Sequence, residues 1–142
     1  MTAGRQTITE METKTLEQEV KDRFQQLVAA LNRKDAAAWS DFFSRDGFLS
    51  AIAGVDYYAA RGAWVEVITT YFSTRERQHV EPVEVRVAAL TSGLALLTSG
   101  ETSEMWLTSG EHVKCRHAFT MLWQKEDAGW MILHSHESWL DD

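Results

Sequence analysis

The chain has 142 residues, 44% of them hydrophobic, which is enough for one domain with a packed core. A net charge of −7 argues against nucleic acid or an anionic membrane surface as a partner. The single cysteine, Cys115, excludes an internal disulfide and fits a reducing, cytoplasmic setting, and no segment approaches the roughly 18 consecutive apolar residues of a membrane span.

Residues 1–13 are polar, lack the apolar run of a signal peptide, and read as a disordered leader to a single domain over 14–142. From Thr15 the pattern turns helical: Leu16, Val20, Phe24, Leu27, Val28 and Leu31 recur at three- and four-residue steps. Thr15 with Gln18 forms a capping box, and the helix is expected to stop near Arg33-Lys34. Asp35 then caps a short second helix with Trp39, Phe42 and Phe43 on its buried side. Residues 45–47 are a turn, 48–53 a short strand, and 54–56 a turn leading to Tyr57-Tyr58. A third helix fits 63–75, burying Trp64, Val67 or Ile68, and Tyr71, with a charged, solvated tail over 74–77.

The remainder reads as strands over 83–91, 94–107, 113–124 and 130–139, separated by the turn signals Ser92-Gly93, Ser109-Gly110 and residues 126–129. Ser99-Gly100 falls inside a strand, where a bulge is expected. Two-residue turns at the first two hairpins pair Val87 with Thr98, Trp106 with Val113, and Glu104 with Cys115. An even loop at the last hairpin keeps Phe119, Met121 and Trp123 on the face of Trp130, Ile132, His134 and His136. One apolar surface results, running through Val83, Val85, Val87, Leu94, Leu96, Trp106, Val113, Phe119, Met121, Trp123, Trp130 and Ile132. Its few polar groups are Thr102, Glu104, Cys115, His117, His134 and His136. The opposite, outer face is expected to carry Leu97, Met105, Leu107, Met131, Leu133 and Trp139, which is more apolar surface than a monomer usually exposes.

Three local patterns carry a family resemblance. Residues 31–35 followed by Trp39, Phe42-Phe43 and Asp46-Gly47 form a helix–helix–turn opening, Arg61-Gly62-Ala63 starts a third helix, and Trp123 with residues 130–138 forms a last hairpin. Together they resemble the nuclear transport factor 2-like superfamily, in particular its SnoaL-like members, and the last hairpin is similar also to the association domain of calcium/calmodulin-dependent kinase II. The resemblance spans about residues 15–139. It implies an α+β cone: a strongly curved, mixed or antiparallel sheet wrapped around a long N-terminal helix, with two further helices and a deep pocket. Fold alone does not choose the reaction, because isomerases, cyclases, dehydratases, binding proteins and oligomerisation modules share this one.

Within that pocket the expected catalytic pair is Glu104, as general base, and His117, as general acid or oxyanion donor, in chemistry like that of ketosteroid-isomerase-like members. No residues match that group's Asp base and Tyr donor one by one, and a bulge at Gly100 would instead turn Glu104 to solvent. The expected lining is Tyr58, Trp64, Thr102, Trp106, Cys115, Phe119, Met121, Trp123, Trp130, Ile132, His134 and His136. His134 and His136 with His117 opposite have ligand-compatible spacing, but no carboxylate cluster completes a metal signature, so no metal and no cofactor are expected. Cys115 reads as a buried inert thiol. Two readings stay open: a pocket that binds, or acts by cofactor-free acid–base chemistry on, an apolar, partly oxygenated small molecule, and an association module without catalysis. A homodimer through the outer sheet face is expected, with neither nucleic acid nor membrane as partner.

Overall fold

The computed structural model describes residues 8–142; the part of the expected leader over 1–7 lies outside them. Helix α1 spans Glu10–Asn32 and starts before the expected cap at Thr15, because Thr9 accepts the Glu12 amide at 3.1 Å and serves as N-cap instead. Its buried stripe is the one the periodicity predicts, with Val20, Phe24 and Leu27 all but inaccessible. Helix α2, Ala36–Ser40, is capped by Asp35, whose side chain accepts the Ala38 amide at 3.0 Å. Helix α3, Arg61–Ser73, buries Trp64, Ile68 and Phe72.

The strands are β1 (Ser50–Ala53), β2 (Asp56–Tyr58), β3 (Arg75–Thr91), β4 (Leu94–Leu107), β5 (His112–Glu126) and β6 (Gly129–Asp141). They form one curled, unclosed mixed sheet in the order β2-β1-β6-β5-β4-β3, antiparallel except for the β1–β6 pair. α1 packs across its concave face, where Phe24 meets Phe119 edge-on at 6.5 Å, and the expected α+β cone is formed. Strand β3 begins at Arg75: the segment 75–77, expected as a solvated helix tail, is already paired with β4. Its proline, Pro82, is tolerated because β3 is an edge strand.

Besides a bulge at Glu76, which separates inward Arg75 from outward Arg77, four irregularities decide which side chains face inward. The Ser92-Gly93 turn has two residues as expected, but an extra residue, Leu90, sets Ala89 opposite Ala95. Ala95 and Leu97 therefore point into the core, and Leu94 and Leu96 away from it. The β4–β5 loop has three residues, Thr108-Ser109-Gly110, with Gly110 at φ 93 and Leu107 N–H donating to the Glu111 carbonyl at 2.8 Å. An odd loop moves every pair by one position, so Trp106 faces His112 and Glu104 faces Lys114. Gly100 is regularly paired; the bulge lies across from it in β3, at Val83.

The last irregularity is in β6. Trp123 shares a face with Ile132 as expected, the two being paired, but Leu122 pairs with His134, leaving Leu133 as the bulged residue. Around it the backbone is occupied elsewhere: Ile132 N–H donates to Phe42 O at 2.8 Å, and Leu49 N–H to Leu133 O at 2.7 Å. Beyond the bulge the parity reverses. Ser135, Glu137, Trp139 and Asp141 face inward, and His134 and His136 face outward. Of the outer patch expected from Leu97, Met105, Leu107, Met131, Leu133 and Trp139, Leu97 and Leu133 are buried and Met105 and Trp139 line the interior.

Candidate functional site

Between α1, the α2 turn, α3 and the concave face lies a cavity of about 260 Å³. Its apolar walls are Leu27 and Leu31 of α1, Trp39 and Phe43, then Trp64, Ile68, Tyr71 and Phe72 of α3, with Val80, Met105, Phe119, Met121 and Trp139 from the sheet. The polar lining comes from four strands: Arg75 and Gln78 of β3, Ser103 of β4, His117 of β5, and Ser135, Glu137 and Asp141 of β6.

The corner holding Arg75 is built from the end of α1. Asn32 clamps β3 with its side chain, donating to Val80 O at 3.1 Å and accepting the Val80 amide at 2.7 Å. Gln78 donates to the Leu31 carbonyl and accepts from Arg75 Nη1 at 2.5 Å. Lys34, in the left-handed region at φ 54, donates its ammonium to the Arg75 carbonyl. Among the described residues Arg75 makes no salt bridge, so its guanidinium faces the cavity with only a neutral partner.

Strand pairing sets His117 opposite Trp139 and Phe119 opposite Glu137, so the imidazole and the carboxyl lie on a diagonal of adjacent strands, a spacing of roughly 7–8 Å at the backbone. Burial pushes the Glu137 carboxyl up to about 7, with the Arg75 charge opposing. The side chain keeps some accessible surface only because it looks into the cavity. Burial also brings the His117 imidazole down to about 4; Arg75 adds to this and Asp141 opposes it. At neutral pH His117 is uncharged and Glu137 is divided between its two forms. His117 Nδ1 lies 2.8 Å from Ser103 Oγ, which is 2.9 Å from Cys115 Sγ.

Next to this pair, Glu101 faces inward directly across from His117. It is 2% exposed and among the described residues neither carboxylate oxygen has a hydrogen-bond partner. Burial pushes it up to about 7, with Ser99 beside it pulling back and Glu137 adding to the rise. On the α3 wall, the buried Trp64 indole N–H is likewise without a partner.

Of the residues expected from sequence, His117, Trp64, Phe119 and Met121 line this cavity. Cys115 is buried behind Ser103; Trp123, Trp130 and Ile132 belong to the core under α1; Tyr58 packs on the Trp64 ring at 5.5 Å from outside. Glu104, Thr102, Trp106, His134 and His136 are on the outer face, for the reasons of register given above. Glu104 meets His112 Nε2 at 3.0 Å and Lys114 Nζ at 3.9 Å, and the His112 hydrogen bond holds its carboxyl below the ordinary value. A base role for it inside the pocket is thereby removed. Trp106 lies between Arg77, 3.9 Å above its ring, and His112, stacked at 4.8 Å. His134 Nδ1 contacts Ser50 Oγ at 2.9 Å, on the face opposite His117, so the three histidines do not converge. Among the described residues no three His, Cys, Asp or Glu side chains are grouped as metal ligands.

The sequence reading missed Arg75, Gln78, Ser103, Ser135, Glu137 and Asp141. One signal was available for Ser103: Ser99, Glu101 and Ser103 alternate with Ala95 and Leu97 at period two. Once Ala95 and Leu97 face inward, all three follow.

A family model described as SnoaL-like domain matches residues 20–142. The chain belongs to the SnoaL-like family. No curated protein matches it significantly. Among solved structures, this SnoaL-like chain is similar to a proposed dehydratase of the nuclear transport factor 2-like family from Streptomyces avermitilis: TM-score 0.79, 18% identity, covering 89% of this chain and 97% of that one. It is similar also to the hexachlorocyclohexane dehydrochlorinase LinA-type3 of Novosphingobium barchaimii LL02, with TM-score 0.78, 6% identity and 94% and 93% coverage. A proposed calcium/calmodulin-dependent protein kinase II association domain from Xanthomonas campestris superposes with TM-score 0.75 at 18% identity, over 99% of this chain and 97% of that one. At these identities the likeness shows the SnoaL-like fold alone.

Proposed function

We propose that the cavity binds a small, apolar, partly oxygenated molecule and acts on it by acid–base chemistry without a cofactor, in an isomerase, cyclase or dehydratase type of reaction. The observation that carries this is the pair Glu137 and His117. Facing one apolar cavity, they are moved by the same burial in opposite directions, to about 7 and about 4. A carboxyl near 7 can take a proton from carbon as carboxylate and return it as acid at physiological pH. A neutral imidazole and the Arg75 guanidinium then face the oxygen on which charge develops. The dehydratase and dehydrochlorinase names among the structural relatives fit eliminations that begin with such a proton abstraction.

The test is solvent exchange. A panel of cyclic ketones, enones and β-hydroxyketones is incubated with the protein in D2O, and deuterium entering carbon next to the carbonyl is followed by NMR. The proposal expects incorporation above the buffer rate with at least one member. A panel that binds, by thermal shift, without any exchange reduces the function to binding; no binding and no exchange removes it.

The second reading, subunit association, is favoured by the outer face as it is built. Ala88, Leu96, Thr98, Thr120, Leu122, His134, His136 and Ile52 adjoin one another there, with the ion pair of Arg86 and Glu84 at the edge of that group. We place a homodimer on this face, in an isologous arrangement, and compatible with a working pocket in each subunit. A cytoplasmic setting accords with the free, buried Cys115. Sedimentation at micromolar concentration is expected to give a dimer; a monomer would remove the association reading.

A further inference from the structure

Which way the protons run between Cys115, Ser103 and His117 determines what His117 offers a ligand. We propose that Cys115 and Ser103 form a hydrogen-bond relay, thiol to hydroxyl to Nδ1, that holds His117 as its Nε2–H tautomer, so that the cavity meets a donor and not a lone pair. Its role in turnover rests on the reading of the cavity given above; the tautomer itself does not.

The argument is one of counting donors and acceptors. Ser103 Oγ lies 2.8 Å from His117 Nδ1 and 2.9 Å from Cys115 Sγ, and Sγ lies 3.6 Å from Nδ1. The thiol and the hydroxyl are enclosed, Cys115 being 1% and Ser103 4% exposed, and His117 is half-buried. The hydroxyl has one proton to give, and an imidazole nitrogen is a far better acceptor than a sulfur. Burial pushes the Cys115 thiol up, so it keeps its own proton, and that proton needs an acceptor. With S–H donating to Oγ and O–H donating to Nδ1, every proton is used once. In the reverse order, Nδ1–H to Oγ and O–H to Sγ, the strong acceptor is wasted, sulfur accepts, and the thiol proton is left with no acceptor among these groups. A thiol donating directly to Nδ1 gives the same tautomer, so both thiol-donating arrangements agree. Neutral imidazole carries one proton, which is then on Nε2.

Two consequences follow for the ligand and the reaction. His117 cannot be the base in its resting form; it hydrogen-bonds an acceptor, and the base role falls to Glu137. Trp64, which lines the same cavity, has a buried indole N–H with no partner among the described residues and would be a second donor to a ligand that reaches it. The ligand class this selects bears acceptor oxygens, such as a carbonyl, on an otherwise apolar frame. Ser103 and Cys115 are positioning residues in this scheme, acting only through His117.

The tautomer is read directly, without a substrate, from long-range proton–nitrogen NMR of protein labelled with nitrogen-15 in histidine, at pH 7, with His117 assigned by comparison with His117→Gln. The proposal expects Nδ1 of His117 in the unprotonated, pyridine-like region and Nε2 in the protonated, pyrrole-like region. The opposite pattern overturns it. Ser103→Thr, which keeps the hydroxyl, is expected to keep the pattern, and its loss there counts against the relay. Ser103→Ala with Cys115→Ala is expected to move both resonances toward a mixture of tautomers; an unchanged single tautomer shows that something else fixes the ring. Should the double variant not fold, the wild-type and threonine spectra still decide. A protein with the expected tautomer but no solvent exchange retains the relay and loses the catalytic reading, so the two fail separately.

Discussion

Replacing Glu101 by glutamine gives the sharpest test of the buried electrostatics. The carboxyl has an ordinary value of 4.5, is pushed up to about 7 by burial, and has no partner for either oxygen among the described residues. Between those values the folded protein holds a proton that the unfolded chain has released. Stability from this group is therefore complete at low pH and is lost as pH rises through about 7. At about 1.4 kcal/mol per unit of pH, the loss between pH 5 and pH 8 is on the order of 2.5 kcal/mol. Glutamine has nearly the same shape and no charge at either pH, so its stability should not carry this slope. The assay is urea unfolding followed by tryptophan fluorescence at pH 5, 6, 7 and 8, on wild type and Glu101→Gln. The expected result is near parity, or a small deficit for the variant, at pH 5, and an advantage of about 2 kcal/mol at pH 8. Glu137 titrates in both proteins and cancels to first order in the difference. Parallel stability curves would refute the reasoning, since they would mean that Glu101 is hydrated or paired when ionised.

Other perturbations separate the two faces of the sheet. Glu104→Gln should leave stability almost unchanged and any ligand affinity intact, because its contacts are with exposed His112 and Lys114; thermal unfolding and calorimetric titration check this. Trp64→Phe removes no hydrogen bond from the free protein, so its stability cost should be packing alone, about 1–2 kcal/mol. Affinity for a carbonyl ligand should fall by about a further 1 kcal/mol if the indole donates to it. Gly54→Ala combines a φ of 63 with a new methyl 3.2 Å from the Trp139 ring, and should cost about 1–2 kcal/mol in thermal unfolding. It should also weaken ligand binding by displacing a wall of the cavity.

The cone was legible in the sequence because its evidence is periodic. The stripe from Leu16 to Leu31 has helical spacing, the turn signals are strong, and the even final loop correctly put Trp123 beside Ile132. What was not legible were single-residue events in the strands. Leu133 is an apolar residue among apolar residues, and nothing in its neighbours says that Phe42 and Leu49 occupy the backbone around it. Yet this one bulge exchanges His134 and His136 for Ser135 and Glu137 inside the cavity. The third residue of the Thr108-Ser109-Gly110 loop likewise exchanges Glu104 for Ser103. Arg75 was hidden differently: a charged residue after a helix reads as solvated, and it takes both the extension of β3 back to the end of α3 and a bulge at Glu76 to turn it inward.

The most direct test of the central claim compares wild type with Glu137→Gln in solvent exchange, using the ketone that wild type deuterates. The variant keeps the shape and one acceptor oxygen of the carboxyl, with an amide donor in place of the other, but cannot take a proton from carbon. The account predicts that it binds the ketone with nearly unchanged affinity and exchanges at the buffer rate, while the wild-type rate rises with pH through about 7 as the carboxyl ionises. Exchange by Glu137→Gln at the wild-type rate, or a wild-type rate indifferent to pH across that range, would contradict it.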